Sequence, residues 1–196
     1  DTDVIWIIGK DSNSTVIDPP GANSVSGLYG VYADTQTRIY IQKLGITGAY
    51  QGIHFENVDQ SEITGDSVSY NGSYGIYLYS GSDTNIVSSN LVYSNTSHGI
   101  FLYSSSTYDT VTNNYVTGNS GTGIILDAAS NNNVVSKNTV VSNGIGIELS
   151  ACTGNLVLSN TIQSNSSVGM SLYLSGTNQV RNNVIGLKAS RVFISS

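Results

Sequence analysis

Residues Ser97 to Asn119 read SHGIFLYSSSTYDTVTNNYVTGN, and this stretch decides the fold. A tetrad, Gly99-Ile100-Phe101-Leu102, is followed by polar residues at Asp109, Asn114 and Asn119, five apart. The pattern recurs along the chain. Tetrad glycines stand at Gly30, Gly52, Gly75, Gly99, Gly123, Gly146 and Gly169, in steps of 22, 23, 24, 24, 23 and 23 residues. One polar register holds Asn71, Asn95, Asn119, Asn143 and Asn165, and a second holds Asp66, Asn90, Asn114, Asn138 and Asn160. A third holds Ser61, Asn85, Asp109, Asn133 and Asn155, while the last copy adds Asn178, Asn183 and Lys188.

Between these positions lie short runs such as VVSKNTVVSN, whose alternation with period two marks strands of three to five residues. Asn and Gly tolerate left-handed backbone, so they are expected at the corners, with the tetrad glycine turning one of them. No helical periodicity runs past one turn. A period near 23 with three strands per repeat predicts an all-β, right-handed parallel β-helix of about eight coils. The whole chain, residues 1–196, reads as one such domain. In stacked coils identical residues lie about 4.8 Å apart, so the asparagines can hydrogen-bond up and down as ladders. The leucine-rich LxxLxL signature and strict six-residue spacing, which mark other solenoids, are both missing.

Composition narrows the function. Charged residues make up 10% of the chain and the net charge is −6, with no Lys/Arg run, so nucleic acid finds no electrostatic footprint. No apolar run approaches the roughly 20 residues that cross a bilayer. The opening DTDVIWIIGK lacks the basic flank and small-residue cleavage site of a signal peptide. The single Cys152 excludes an internal disulfide and a cysteine zinc cluster, and reads as a buried free thiol in a turn. Both termini carry coil-like strands, at VIWII and at Arg191-Val192-Phe193-Ile194. Open coil ends are edge strands, so the chain is expected to be a segment of something larger or to stack end to end with itself.

The strand after each tetrad glycine carries the unusual chemistry. Alternation places Tyr32, His54, Tyr77, Phe101, Ile125, Glu148 and Ser171 in one solvent file. Asp34, Glu56, Tyr79, Tyr103, Asp127, Ser150 and Tyr173 form a second. Tyr77, Tyr79, Phe101 and Tyr103 occupy adjacent coils as a platform on which the C–H face of a pyranose could stack. His54, Glu56 and Tyr173 extend the strip as polar partners for sugar hydroxyls. Aromatic rings in a β-ladder also stack on one another, which accounts for the same residues without a ligand. Asp127 and Glu148, on neighbouring coils at a separation on the order of 8 Å, have the spacing of an inverting hydrolase pair. His54 beside Glu56 reads either as a general base or as a solvated surface pair. Neither file holds Lys or Arg, which a uronate lyase would need. Ca²⁺ could be held by pairs of these acids, but no Asp-rich loop supports it, and no metal or cofactor is expected. Asn13, Asn71, Asn95 and Asn165 each begin an Asn-x-Ser/Thr acceptor pattern for glycosylation.

Thr15 to Gly21, TVIDPPG, together with the Asn-x-Val-x-x-Asn and Gly-Ile-x-Leu units, resembles the right-handed parallel β-helix repeat proteins. That superfamily includes pectin-lyase-like carbohydrate enzymes, the β-helix accessory protein of periplasmic copper maturation for nitrous oxide reductase, and archaeal and bacterial surface proteins of the disaggregatase-related kind. The resemblance spans nearly the whole chain and rests on structural residues. It implies metal ligands for the copper-linked branch, yet the two His, one Met and one Cys stand far apart. The Asn-Thr-Asp, Asp-Asp and Gly-His-Gly of pectin hydrolases are missing, with Ser97-His98-Gly99 the nearest counterpart to the last. The Asp-Pro-His-Asp of alginate epimerases is missing too. The leading expectation is therefore a secreted or cell-surface β-helix, structural or glycan-contacting and not itself an enzyme. A polysaccharide hydrolase or lyase, and a self-assembling sheath subunit, are the alternatives.

Overall fold

A computed structural model describes residues 4–19, 21, 25–186 and 192–195. Lys188 and Arg191 lie outside the described residues. The described chain forms twenty-four strands and no helix, arranged in three eight-stranded sheets, A, B and C. Each circuit gives one strand to each sheet, so neighbours in a sheet are three strands apart in sequence. All pairings are parallel and in register. Along sheet C, Ile53, Ile76, Ile100, Ile124, Ile147 and Met170 follow one another as direct partners. The seven-glycine repeat is thus one file of circuits, and parallel strands linked in this way take the right-handed crossover. The expected solenoid is the observed one.

The core is a column of inward Val, Ile and Leu. In one circuit Val87 (sheet A), Val92 (sheet B), Ile100 and Leu102 (sheet C) are all 0% exposed. Removing this apolar surface from water, at about 25 cal/mol per Å², drives the stacking. The asparagines satisfy the corners between sheets, as expected. Asn114 Oδ1 accepts the Asn90 amide at 2.9 Å, and Asn114 Nδ2 donates to Val87 O at 2.9 Å and to Asn138 Oδ1 at 3.0 Å. The same links repeat through Asn95, Asn119, Asn143 and Asn165. Cys152 is a buried free thiol, as expected, with burial raising its pKa.

Two corner assignments need correction. The left-handed residue is the one before each ladder asparagine, as at Ser89, Asn113, Lys137 and Ser159 with φ of 57°, 56°, 56° and 56°. That residue's side chain points to solvent, and the turn it makes swings the following Asn inward onto the ladder. Left-handed backbone costs a non-glycine residue roughly 1–2 kcal/mol, which the rung hydrogen bonds offset. The tetrad glycines are not the left-handed residues: Gly30, Gly52, Gly123, Gly146 and Gly169 lie within strands, and Gly75 and Gly99 sit in bends just ahead of theirs. A Cβ on Gly99 would lie 2.6 Å from both Gly123 O and Val116 Cγ1 and 2.9 Å from Asn119 Nδ2, so glycine is needed there for close approach of the next coil.

Among the four acceptor-pattern asparagines, only Asn13 is exposed. Asn71, Asn95 and Asn165 are 0–1% exposed rungs whose Nδ2 atoms already donate to Asn95 Oδ1, Val68 O and Val140 O. A glycan on any of these three would break a rung.

A candidate glycan-contacting face on sheet C

Sheet C carries three outer files, one more than the two-file reading supplied. The additional file lies one residue before each glycine and includes Tyr29, Tyr74, His98 and Thr122. Its side chains lean over the middle file. His54, Tyr77, Phe101 and Ile125 were expected in solvent, yet they are only 6%, 8%, 7% and 7% exposed, while Tyr32 keeps 46%. Tyr77, Phe101 and Ile125 form a small apolar cluster on the outside of the sheet, with Tyr74, Tyr79 and Tyr103 packed against it. Tyr74 meets Phe101 edge-on at 5.2 Å and 82°, and Tyr79 lies parallel to Tyr103 at 6.0 Å and 10°. The surface is therefore a strip of half-buried tyrosines over a buried ring floor. Tyr173, half-exposed and paired with Ser150, stands apart from this cluster on a later coil.

His54 sits in a box of rings. Tyr29, Tyr32, Tyr77 and Tyr79 approach it at 4.9, 5.3, 4.9 and 6.2 Å between centroids. Among the described residues neither imidazole nitrogen has a hydrogen-bond partner. Burial lowers its pKa against the opposing pull of Glu56 and Asp34, so the ring is neutral at physiological pH. The reading of His54 and Glu56 as a solvated surface pair is thus corrected, because the tyrosines cover the imidazole. Glu56 instead accepts the Tyr32 hydroxyl at 3.0 Å.

His98 and Thr122 were not among the residues expected at the site. The Thr122 amide donates to His98 Nδ1 at 2.9 Å, and the Thr122 hydroxyl donates to Glu148 Oε2 at 2.9 Å. With Nδ1 accepting, the proton of neutral His98 resides on Nε2, leaving that atom a donor and not a base. Burial lowers the His98 pKa, with Asp127 opposing. Asp127 and Glu148 lie on neighbouring strands, but their carboxylates serve different partners: Asp127 Oδ1 accepts the Ala128 amide at 2.7 Å. The structure joins Glu148 to Thr122 and His98, and places Asp127 beyond that chain of bonds. Position in the repeat is the signal that could have found His98, since the residue before every tetrad glycine begins the outer face.

A family profile described as periplasmic copper-binding protein (NosD) matches residues 7–188. The chain belongs to the NosD family. Copper asks for convergent His, Cys or Met ligands. In this NosD-family chain His54 and His98 are separated by the rings of Tyr77 and Tyr74, each in contact with the next. Cys152 is buried against Leu126 O, and Met170 is 0% exposed in the core. Among the described residues no group of three or more His, Cys, Asp or Glu side chains is placed to hold a metal ion. These donors do not fit a copper centre.

Solved structures carry the same fold. The Dettilon tailspike protein (gp208) superposes with a TM-score of 0.76 at 23% identity, over 97% of this chain and 47% of its own. A double mutant of the periplasmic alginate epimerase AlgG gives 0.68 at 19%, over 86% of this chain and 48% of its own. An alginate lyase from Paenibacillus sp. str. FPU-7 gives 0.54 at 17%, over 97% and 84%. The chain thus spans about half the length of the epimerase and tailspike chains it matches. A search of curated proteins found no match.

Proposed function

We propose that this NosD-family β-helix works outside the cytoplasm as a glycan-contacting module, holding a polysaccharide strand along the outer face of sheet C. The observation that carries it is the continuous strip of half-buried Tyr74, Tyr79 and Tyr103 above a rigid ring floor, flanked by Glu56, Asp127 and Glu148. Preformed aromatic edges supply apolar contact at low entropic cost, and the phenols and carboxylates supply hydrogen bonds to sugar hydroxyls. The family's periplasmic description and the epimerase, lyase and tailspike neighbours support export and glycan contact. Binding is favoured over catalysis because His98 presents a proton donor and His54 is boxed in by rings, so neither histidine is placed as a base. A polysaccharide-active reading rests on Asp127 and Glu148 at the edge of the strip.

The test is affinity electrophoresis of the chain and its Tyr79→Ala/Tyr103→Ala variant through gels containing alginate, pectate or neutral polysaccharides. Two rings at about 0.5–1.5 kcal/mol each imply roughly a fivefold or greater loss of affinity for the retained polymer. Unchanged retention in the double variant would remove the strip from the function. New reducing ends in the same incubations would move the reading to catalysis.

A further inference from the structure

The outer face of sheet B, round the corner from the tyrosine strip, holds a hollow that the proposed function leaves unused. Two files run along this face in register. One passes from Val16 through Gly45 and Ser67 to Leu91, the other from Thr47 through Ser69 to Tyr93. Side chains are small at Gly45, Ser67 and Ser69 and tall at Leu91 and Tyr93, so the face drops by a step between neighbouring coils. The opposite wall is the turn at Asp11–Ser14. There Asp11 Oδ1 accepts the Asn13 and Ser14 amides at 3.0 and 2.8 Å, and Oδ2 accepts the Ser14 hydroxyl at 2.7 Å. The turn lies close because Gly45 has no side chain; a Cβ there would run into the Ser12 carbonyl.

What remains between the walls is a cavity of about 250 Å³. Tyr70, held at φ 53° in the corner, and Tyr93 meet edge to face at 5.4 Å and 78°, forming an apolar wall with two phenols. Ser69 is 5% exposed and lines the floor, yet among the described residues its hydroxyl has no hydrogen-bond partner. The hydroxyls of Ser67, Thr47 and Tyr93 are likewise uncommitted among the described residues. Among the described residues no Lys or Arg lines the cavity. A ligand here meets ring faces on one side and neutral hydroxyls on the other, with no cation for a carboxylate or phosphate. The space is below the ~300–1,000 Å³ of clefts that take drug-sized ligands, so it suits one ring and not a chain.

We propose that this hollow binds a single neutral hexopyranose unit, with its C–H face on Tyr70 and Tyr93 and its hydroxyls on Ser67 and Ser69. The site is separate from the strip on sheet C and stands or falls without it.

The test is a backbone amide NMR titration of the isotope-labelled chain with the methyl glycosides of mannose, glucose and galactose, and with methyl galacturonoside as the charged control. Saturable shifts are expected at Gly45, Ser67, Ser69 and Tyr70 for at least one neutral glycoside, with a Kd of about 1 mM, and at least tenfold weaker binding of the uronoside. Tyr70→Ala, at an exposed corner where the fold does not depend on the ring, should weaken binding about tenfold. Ser69→Leu should abolish it by filling the floor, and Tyr79→Ala/Tyr103→Ala should leave it unchanged. No saturable shift at these amides with any neutral glycoside would overturn the proposal. So would equal binding of the uronoside, or unchanged binding in both Tyr70→Ala and Ser69→Leu.

Discussion

Replacing Asn114 with Leu is expected to lower stability by about 3 kcal/mol, far more than an exposed substitution on the same coil. The reason lies in the rung. Asn114 Oδ1 is the acceptor for the Asn90 amide at 2.9 Å and for Asn90 Nδ2 at 3.1 Å, and its own Nδ2 serves Val87 O and Asn138 Oδ1. Leucine of similar size removes all four links at a position 1% exposed, where water cannot replace them. Some partners keep a second bond: Asn90 Nδ2 still reaches Ile63 O, and Asn138 Oδ1 still accepts the Asn114 amide. The Asn90 amide does not, and it is left buried and unpaired. Urea denaturation of the variant beside an outward Thr112→Val control measures the difference. A loss below about 1 kcal/mol would mean that the rungs merely fill space.

The second large effect is stabilising and depends on pH. Asp66 occupies an asparagine register, and its Oδ1 accepts the Leu44 amide at 2.8 Å as an asparagine oxygen would. Among the described residues its Oδ2 is buried without a partner, and so is Oδ2 of Asp109 in the neighbouring register. Where Asn90 and Asn114 donate an amide N–H, only a protonated carboxyl could do the same. Burial pushes the Asp66 pKa from 3.8 up to about 7, against the hydrogen bond from Leu44, and burial also raises Asp109 well above the usual range. Between pH 4 and 7 the folded chain therefore keeps a proton that the unfolded chain has lost. The Asp66 contribution to stability is full below about pH 4, is lost as pH rises through about 7, and then levels off. The shift from 3.8 to about 7 corresponds to about 4 kcal/mol. Asp66→Asn supplies the missing donor without a charge. It should raise thermal stability strongly at pH 8 and hardly at pH 4, flattening the pH profile. An equal effect at both pH values would show that the carboxyl is not held neutral.

The circuit and its inward residues were legible because both periods, two along a strand and about 23 along the chain, are written in residue type. Val87, Val92, Ile100 and Leu102 point inward as alternation requires. The outer face was less legible. Alternation says where a Cβ points but not whether a neighbour covers it, and Tyr29, Tyr74 and His98 cover His54, Tyr77 and Phe101 from a file hidden in front of the glycine. The corner geometry misled for a related reason. Asparagine tolerates left-handed backbone, but here its side chain is needed inside, so Ser89 and Lys137 take the strained φ instead. The hollow on sheet B had a sequence trace: Gly45, Ser67 and Ser69 are small where the next coil holds Leu91 and Tyr93. Without the turn at Asp11–Ser14 that trace had no second wall.

The most direct measurement of the stacked register is disulfide trapping across neighbouring coils in a Cys152→Ser background. Thr112 and Ser136 are direct partners on sheet A, with hydroxyls 3.1 Å apart. Parallel partners at about 4.8 Å are within disulfide reach. Thr112→Cys with Ser136→Cys should form an intramolecular cross-link on mild oxidation, whereas Thr112→Cys with the inward Val135→Cys should not. Cross-linking of the second pair in preference to the first would place the coils one residue out of step. The stacked circuits, the tyrosine strip and the hollow would then all lose their geometry.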